Sequence, residues 1–271
     1  MTTDPPPGFT THQATPARIY DALLGGKDNY AADREAADRI KQKEPNAELI
    51  VHNNRAFLRR VVTYLVAEAG IRQIIDLGSG LPTQDNVHHI AQQIAPETRV
   101  VYVDNDPIVL AHDRARLADN PNTTVVTADL RESAAVLGAT ETRQLIDFSQ
   151  PWALLSIAVF HFIPDDPGSI IDAYRAHMPP GSHLALSHLS QDATTPETAA
   201  EITRIYQDAT APMVLRTREQ IHGIFAGMEL VEPGLPLIMQ WRPPVEPRFP
   251  EQVWLFGGVG RIPQPPATTT A

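Results

Sequence analysis

The chain has 271 residues, a formal net charge of −10 and no cysteine. That length allows one large α/β domain with an appendage, while the acidic balance argues against phosphate-backbone partners such as nucleic acid. The missing thiols exclude disulfides and thiolate metal sites. No apolar run reaches the ~18 residues of a membrane helix, and Met1–Gly8 has neither the basic start nor the apolar centre of a signal peptide. A cytoplasmic protein without a membrane partner is therefore expected.

In chain order, residues 1–14 and 263–271 are rich in proline and threonine and read as extended or disordered tails. Residues 15–69 read as helical. Leu49, Ile50, Phe57, Leu58, Val61, Val62 and Leu65 recur at spacings of three, four and seven, a face suited to packing on a sheet, and Gly70 is a plausible stop. Inside this segment, Gly25-Gly-Lys-Asp-Asn-Tyr30 forms a loop between helices. Its glycines allow close backbone approach to a ligand, and Lys27, Asp28 and Asn29 offer polar groups. The alternative is an ordinary helix-linking turn with a solvated lysine.

From residue 70 the pattern changes. Strands are expected at Gln73–Leu77, Arg99–Val103, Thr123–Thr127, Trp152–Ala158 and His183–Ser187, with helical stretches between them, the layout of a parallel sheet covered on both faces. Helices are expected near Glu197–Asp208 and Thr217–Phe225, the second opened by a Thr217/Gln220 capping box. Met228–Gly234 and Gln252–Gly257 read as sixth and seventh strands, paired antiparallel because no long helix joins them.

The first strand ends at Asp76 and breaks into Gly78-Ser79-Gly80, and the second ends at Asp104. Strand, glycine turn, helix, strand and carboxylate make a nucleotide-binding unit, with Asp104 placed to accept both hydroxyls of a ribose. The third glycine of a dinucleotide fingerprint is replaced by Thr83 after Pro82, and no Tyr-x-x-x-Lys pair is present, so a nicotinamide oxidoreductase is the weaker alternative. Asp106 before Pro107 suits a helix N-cap.

The D-x-G-x-G turn from Asp76 to Gly80 resembles motif I of the Rossmann-like S-adenosylmethionine (SAM) methyltransferases. The core, roughly residues 70–262, looks like a class I SAM-dependent methyltransferase, with a seven-stranded, mostly parallel sheet ending in an antiparallel pair. Three further stretches, Pro16–Glu35, Asn54–Arg60 and Val101–Pro107, closely resemble a bacterial family of S-adenosyl methyltransferases of unassigned substrate. The resemblance implies the fold and the cofactor SAM, with S-adenosylhomocysteine as product. It also implies that residues 15–69 lid the cofactor site.

Cofactor contacts are then expected from Asp76, Gly78, Ser79 and Gly80, from Asp104 and Asn105, from Ala158 after the fourth strand, and from Gly26, Lys27 and Asn29 in the lid. Lys27 or Arg55 would hold the methionine carboxylate. Asp129 would accept from the adenine amino group and Leu130 would pack on the ring; alternatively Asp129 only caps a helix starting at Leu130. Ser156-Ile-Ala-Val-Phe-His-Phe-Ile-Pro-Asp165 lacks the Asn/Asp-Pro-Pro-aromatic motif of amine methylators and resembles small-molecule methyltransferases, including oxygen methylators. His161 would be the general base for a hydroxyl acceptor, or else a pocket wall. No metal is expected, since His88, His89, His112, His183 and His188 show no ligand spacing backed by carboxylates. A SAM-binding protein without catalysis is the remaining alternative. The sequence carries no signal for oligomeric state.

Overall fold

A computed structural model describes residues 11–81, 86–106 and 120–264. Three helices come first: α1 (Pro16–Leu23), α2 (Ala31–Lys43) and α3 (Ala47–Thr63), the last running on through one π-turn, Tyr64–Glu68. Thr15 caps α1 by accepting from the Arg18 amide, and Pro16 occupies the first turn, where a missing N–H costs nothing. Gly25, at φ +75°, closes that helix: its amide donates to the Ala22 carbonyl and the Gly26 amide to the Asp21 carbonyl, the paired bonds of a Schellman stop. Gly70, at φ +72°, ends the third helical stretch. Ile50, Phe57, Leu58, Val61, Val62 and Leu65 are buried as their spacing predicts, but Leu49 is exposed.

The sheet is built from β1 (Gln73–Leu77), β2 (Arg99–Asp104), β3 (Thr123–Thr127), β4 (Ala153–Ile157), β5 (His183–Leu189), β6 (Glu229–Leu230) and β7 (Leu255–Arg261). Their spatial order is β3-β2-β1-β4-β5-β7-β6. The first five run parallel, and β7 pairs antiparallel with both β5 and β6. Helices α4 (Val87–Ile94), α5 (Ser133–Gly138), α6 (Thr140–Leu145), α7 (Pro167–Arg175), α8 (Pro196–Gln207) and α9 (Arg218–Gly223) complete the described elements. Thr217 and Gln220 form the expected capping box on α9. This is the class I methyltransferase sheet.

The second, fourth and fifth strands shift by one or two residues at their ends, and the last two differ more. The sixth shrinks to Glu229–Leu230, because the Gly234 amide turns back onto the Val231 carbonyl beside Pro233. The seventh begins at Leu255, after a 3₁₀ turn at Pro250–Gln252, and continues through three glycines to Arg261. Those glycines mark close approach: an added Cβ would come within 2.7 Å of Ile238 at Gly257 and of the Gly234 carbonyl at Gly258, and 2.8 Å from Phe225 at Gly260.

The core has two layers, one on each face of the sheet. One joins α1, α2, α3, α4 and α8 to one face, through Ile19, Ile40, Phe57, Val61, Ile74 and Val100 among others; the second packs the opposite face around Trp152, Leu154, Ile171 and Tyr174. The N-terminal helices therefore share a core with the sheet. Within them a buried ion pair, Arg18–Asp33 at 3.0 Å, is satisfied on every side: Asp33 also accepts from the Thr15 and Tyr30 amides, and Arg18 donates to the Gln13 carbonyl. Packing starts earlier than the expected tail boundary, since Ala14 is buried and its carbonyl accepts from the Thr210 amide. The terminal stretches 1–10 and 265–271, Thr83, His112 and the helix that Asp106 would cap lie outside the described residues. Among the described residues no helix is long and apolar enough to cross a membrane, and no three His, Cys, Asp or Glu side chains gather as a metal site.

Candidate active site

A cavity of about 520 Å³ opens over the carboxyl ends of the parallel strands. Open α/β sheets bind ligands there, and the volume falls in the range of small-molecule pockets. Its floor is the glycine turn after β1. The Gly78 amide donates to the Val103 carbonyl at 2.8 Å, with Gly78 at φ +67° and a hypothetical Cβ only 2.7 Å from Val159. Gly80, at φ +64°, faces open space, and its amide donates to Asp104 Oδ2 at 3.0 Å. Asp104 Oδ1 accepts from the Asp106 amide at 2.9 Å. Backbone amides thus fix the carboxylate from within its own turn and from the glycine turn. Burial pushes the Asp104 carboxyl up from its ordinary pKa, and the Asp106 and Gly80 amides oppose that shift.

Of the residues expected from the sequence, Arg55, Asp76, Gly78, Ser79, Gly80, Asp104, Asn105, Asp129, Leu130 and Ala158 all line this cavity. The Ser79 hydroxyl is buried there without a hydrogen-bond partner among the described residues. Asp129 caps nothing, because the next helix starts at Ser133; its carboxylate accepts from the Arg131 amide at 2.9 Å and pairs with the Arg131 guanidinium at 2.5 Å. That guanidinium and the amide bond hold the Asp129 carboxyl below its usual range.

Gly26, Lys27 and Asn29 do not line the cavity; Lys27 is exposed. Their loop instead wraps Asp21, which does line it. Asp21 Oδ2 accepts from the Asp28 amide at 3.0 Å and from Asn29 Nδ2 at 2.8 Å. Sequence reasoning missed Asp21 because a single acid on an amphipathic helix looks like a solvated charge. The signal that could have found it was the loop itself, whose Gly26, Asp28 and Asn29 serve a neighbour five to eight residues back.

At the tip of β4, Ala158 is held at φ +60°, a conformation that costs a non-glycine residue roughly 1–3 kcal/mol. The surrounding network maintains it. The Ala158 amide donates to Ser187 Oγ at 2.9 Å, Ser187 Oγ donates to Asn54 Oδ1 at 2.7 Å, Asn54 Nδ2 donates to the Tyr20 hydroxyl at 3.0 Å, and Tyr20 donates to the Val51 carbonyl at 3.1 Å. This line of bonds ties α1 and α3 to β4 and β5. Burial pushes the Tyr20 phenol above its ordinary pKa.

Beyond that network lies a smaller cavity of about 60 Å³, an annex that shares Tyr20, Asn54, Ala158 and Phe162 with the main one. Its other walls are mostly apolar, among them Leu23, Ile50, Ile202, Met213 and Trp254, with Glu44, His161 and Tyr206 also lining it. His161 lines the annex and not the main cavity. It is buried, and its Nδ1 makes a long 3.4 Å contact with the Leu189 amide. Burial, with His188 and Arg216 nearby, holds the imidazole pKa well below its usual value. Arg216 locks the loop after β4, donating to the Phe160, Ile163 and Asp165 carbonyls and to His188 Nε2.

Comparison with known proteins agrees with this geometry. A family model described as S-adenosyl methyltransferase matches residues 3–263. A protein from Thermobifida fusca, assigned provisionally as a methyltransferase, is 41% identical with a TM-score of 0.90, over 97% of this chain and 100% of that one. A DUF574 family protein from Streptomyces avermitilis is 41% identical with a TM-score of 0.89, over 93% and 99% of the two chains. The plantazolicin methyltransferase BpumL, solved with S-adenosylhomocysteine, is similar in fold alone, with 11% identity and a TM-score of 0.50 over 90% and 94% of the chains. No curated protein matches. The chain belongs to the S-adenosyl methyltransferase family.

Proposed function

We propose that this SAM-dependent methyltransferase acts on a small, largely apolar acceptor whose reacting end sits beside Ala158 and whose apolar part enters the annex. The annex carries the reading. It draws its walls largely from α1, α2, α3 and α8, adjoins the main cavity through Tyr20, Asn54, Ala158 and Phe162, and has a volume suited to a small apolar group. The net charge of −10 also speaks against a nucleic-acid acceptor.

The cavity residues fit SAM. Asp104 would accept the ribose hydroxyls, Leu130 would pack on the adenine with Asp129 near its amino group, and the open side of Gly80 and the unpartnered Ser79 hydroxyl would meet the amino-acid portion, with Arg55 available to its carboxylate. SAM supplies an electrophilic methyl group on a sulfonium. The chain's part is to hold donor and acceptor at near-attack distance and to keep water out, a contribution worth roughly 7–11 kcal/mol in well-oriented reactions. The N-terminal helices serve as the lid, since Thr15, Ala17, Tyr20, Asp21 and Leu24 form one wall of the cavity.

A hydroxyl acceptor with His161 as its base follows from the missing Pro-Pro motif after β4. An amine acceptor is the second reading, favoured because the depressed pKa of His161 makes it a weak proton acceptor and an amine needs none. Incubation with a filtered extract, SAM carrying an isotopic methyl and His161→Ala as the comparison separates them. The hydroxyl reading expects an oxygen-methylated product and a roughly 100- to 10,000-fold loss of turnover. Near-normal turnover with a nitrogen-methylated product favours the amine, and labelling of a macromolecule alone would sink the small-acceptor reading.

A further inference from the structure

Of the three buried carboxylates in the N-terminal segment, Asp33 and Asp21 frame the ends of the loop between α1 and α2, and they differ in one respect. Asp33 is neutralised by Arg18. Asp21, 5% exposed and lining the main cavity, has no cation beside it among the described residues. Removing a carboxylate from water without a counter-charge is costly, so an unpaired one at a cavity wall points to a ligand that brings the charge.

The loop after α1 is shaped around this group. The carboxylate rests against Gly26, where an added Cβ would lie 2.0 Å from Oδ1, so no other residue fits at that position without moving it. Asp28 and Asn29 hold Oδ2, and Asn29 is itself fixed by Arg34, which donates to both its carbonyl and its side-chain oxygen at 3.0 Å. The conspicuous Gly-Gly-Lys-Asp-Asn string thus serves to set one carboxylate in place.

We propose that Asp21 receives the α-ammonium of the cofactor's amino-acid portion. The assignment rests on the main cavity being the SAM site, as argued above. Asp104, on β2, is placed for the ribose, and α1 is tied through Tyr20, Asn54 and Ser187 to the β4–β5 side of the glycine turn. An amino-acid chain leaving the ribose in that direction brings its ammonium toward α1, and the sulfonium stays nearer the β4 tip.

Calorimetric binding of three ligands to wild type and Asp21→Asn tests this: SAM, S-adenosylhomocysteine and 5′-methylthioadenosine, which lacks the amino-acid portion. Loss of a charge-assisted bond predicts a roughly 10- to 100-fold weaker dissociation constant for SAM and S-adenosylhomocysteine alike, with 5′-methylthioadenosine unchanged. Asn29→Ala, at a half-exposed position, is expected to give the same ligand pattern more weakly, and it serves if Asp21→Asn fails to fold. Weakening of SAM alone would reassign Asp21 to the sulfonium and overturn the proposal. Unchanged binding of all three ligands to a folded variant overturns it and leaves the SAM site intact. If wild type itself binds none of them at the main cavity, the site reading fails first.

Discussion

Asp104 shows how one side chain serves two purposes. It organises the turn through the Gly80 and Asp106 amides, and it lines the cavity, where the proposed reading gives it the ribose. Asp104→Ala is expected to weaken SAM binding roughly 30- to 1,000-fold, read by calorimetry, while the protein still unfolds cooperatively. Undiminished affinity in a folded variant would mean that a different acid holds the ribose. Ala158 gives a second test. Because a left-handed backbone costs alanine roughly 1 kcal/mol more than glycine, Ala158→Gly is expected to leave stability unchanged or raise it by about 1 kcal/mol in a denaturant titration. A loss above that size would contradict the strain account. For His161 the sign is set by its lowered pKa: the neutral form persists to more acidic pH than free imidazole allows. If it is the base, the rate profile stays flat through pH 6.5 and its acid limb falls well below. An inflection at the ordinary imidazole pKa would point to another group.

The first two helices behave as part of the molecule's core, with Ile19, Leu23, Ala36, Ala37 and Ile40 buried against their neighbours. Deleting residues 1–12 keeps Gln13, Ala14 and the Arg18–Asp33 pair, and is expected to leave melting temperature and SAM affinity near wild type. Deleting 1–45 removes those apolar side chains, and thermal unfolding should show a large drop in melting temperature together with loss of binding. A truncated protein as stable as the full chain would disconnect these helices from the core. Local pattern disclosed much of this architecture. The apolar run into Asp76, the Thr217/Gln220 box and the amphipathic face of α3 each depend on residues close in sequence. What stayed hidden depends on distant partners. The seventh strand reads as ending at Gly257 because the groups that crowd its glycines, Phe57, Phe225 and Gly234 among them, come from elsewhere in the chain. Arg216 carries no signal in the sequence, since the four acceptors that converge on it lie 28 to 56 residues away. Asp21 was obscure for the same reason, while its loop was conspicuous.

At the scale of the whole molecule, buried histidines set the response to acid. Burial lowers His88, His183 and His188 to about 4. In the unfolded chain they would titrate near 6.5, so between those values the unfolded state binds more protons and folding stability falls as pH falls. Each contributes on the order of 2–3 kcal/mol, fully present above pH 6.5 and lost by about pH 4. Denaturant titrations across that window are expected to show a steep decline in stability, lessened by His183→Gln, which removes one of the titrating rings. Constant stability from pH 7 to 4.5 would show that these rings are already hydrated.

The boundary between the two cavities bears on how the enzyme could diversify. Only Tyr20, Asn54, Ala158 and Phe162 belong to both, whereas Ile50, Ile202 and Met213 touch the annex alone. Substitutions at those three positions can reshape one compartment without disturbing the other. Under the proposed division of the two cavities, the architecture is modular: substitutions in the annex are expected to redirect acceptor preference and leave the cofactor's walls intact.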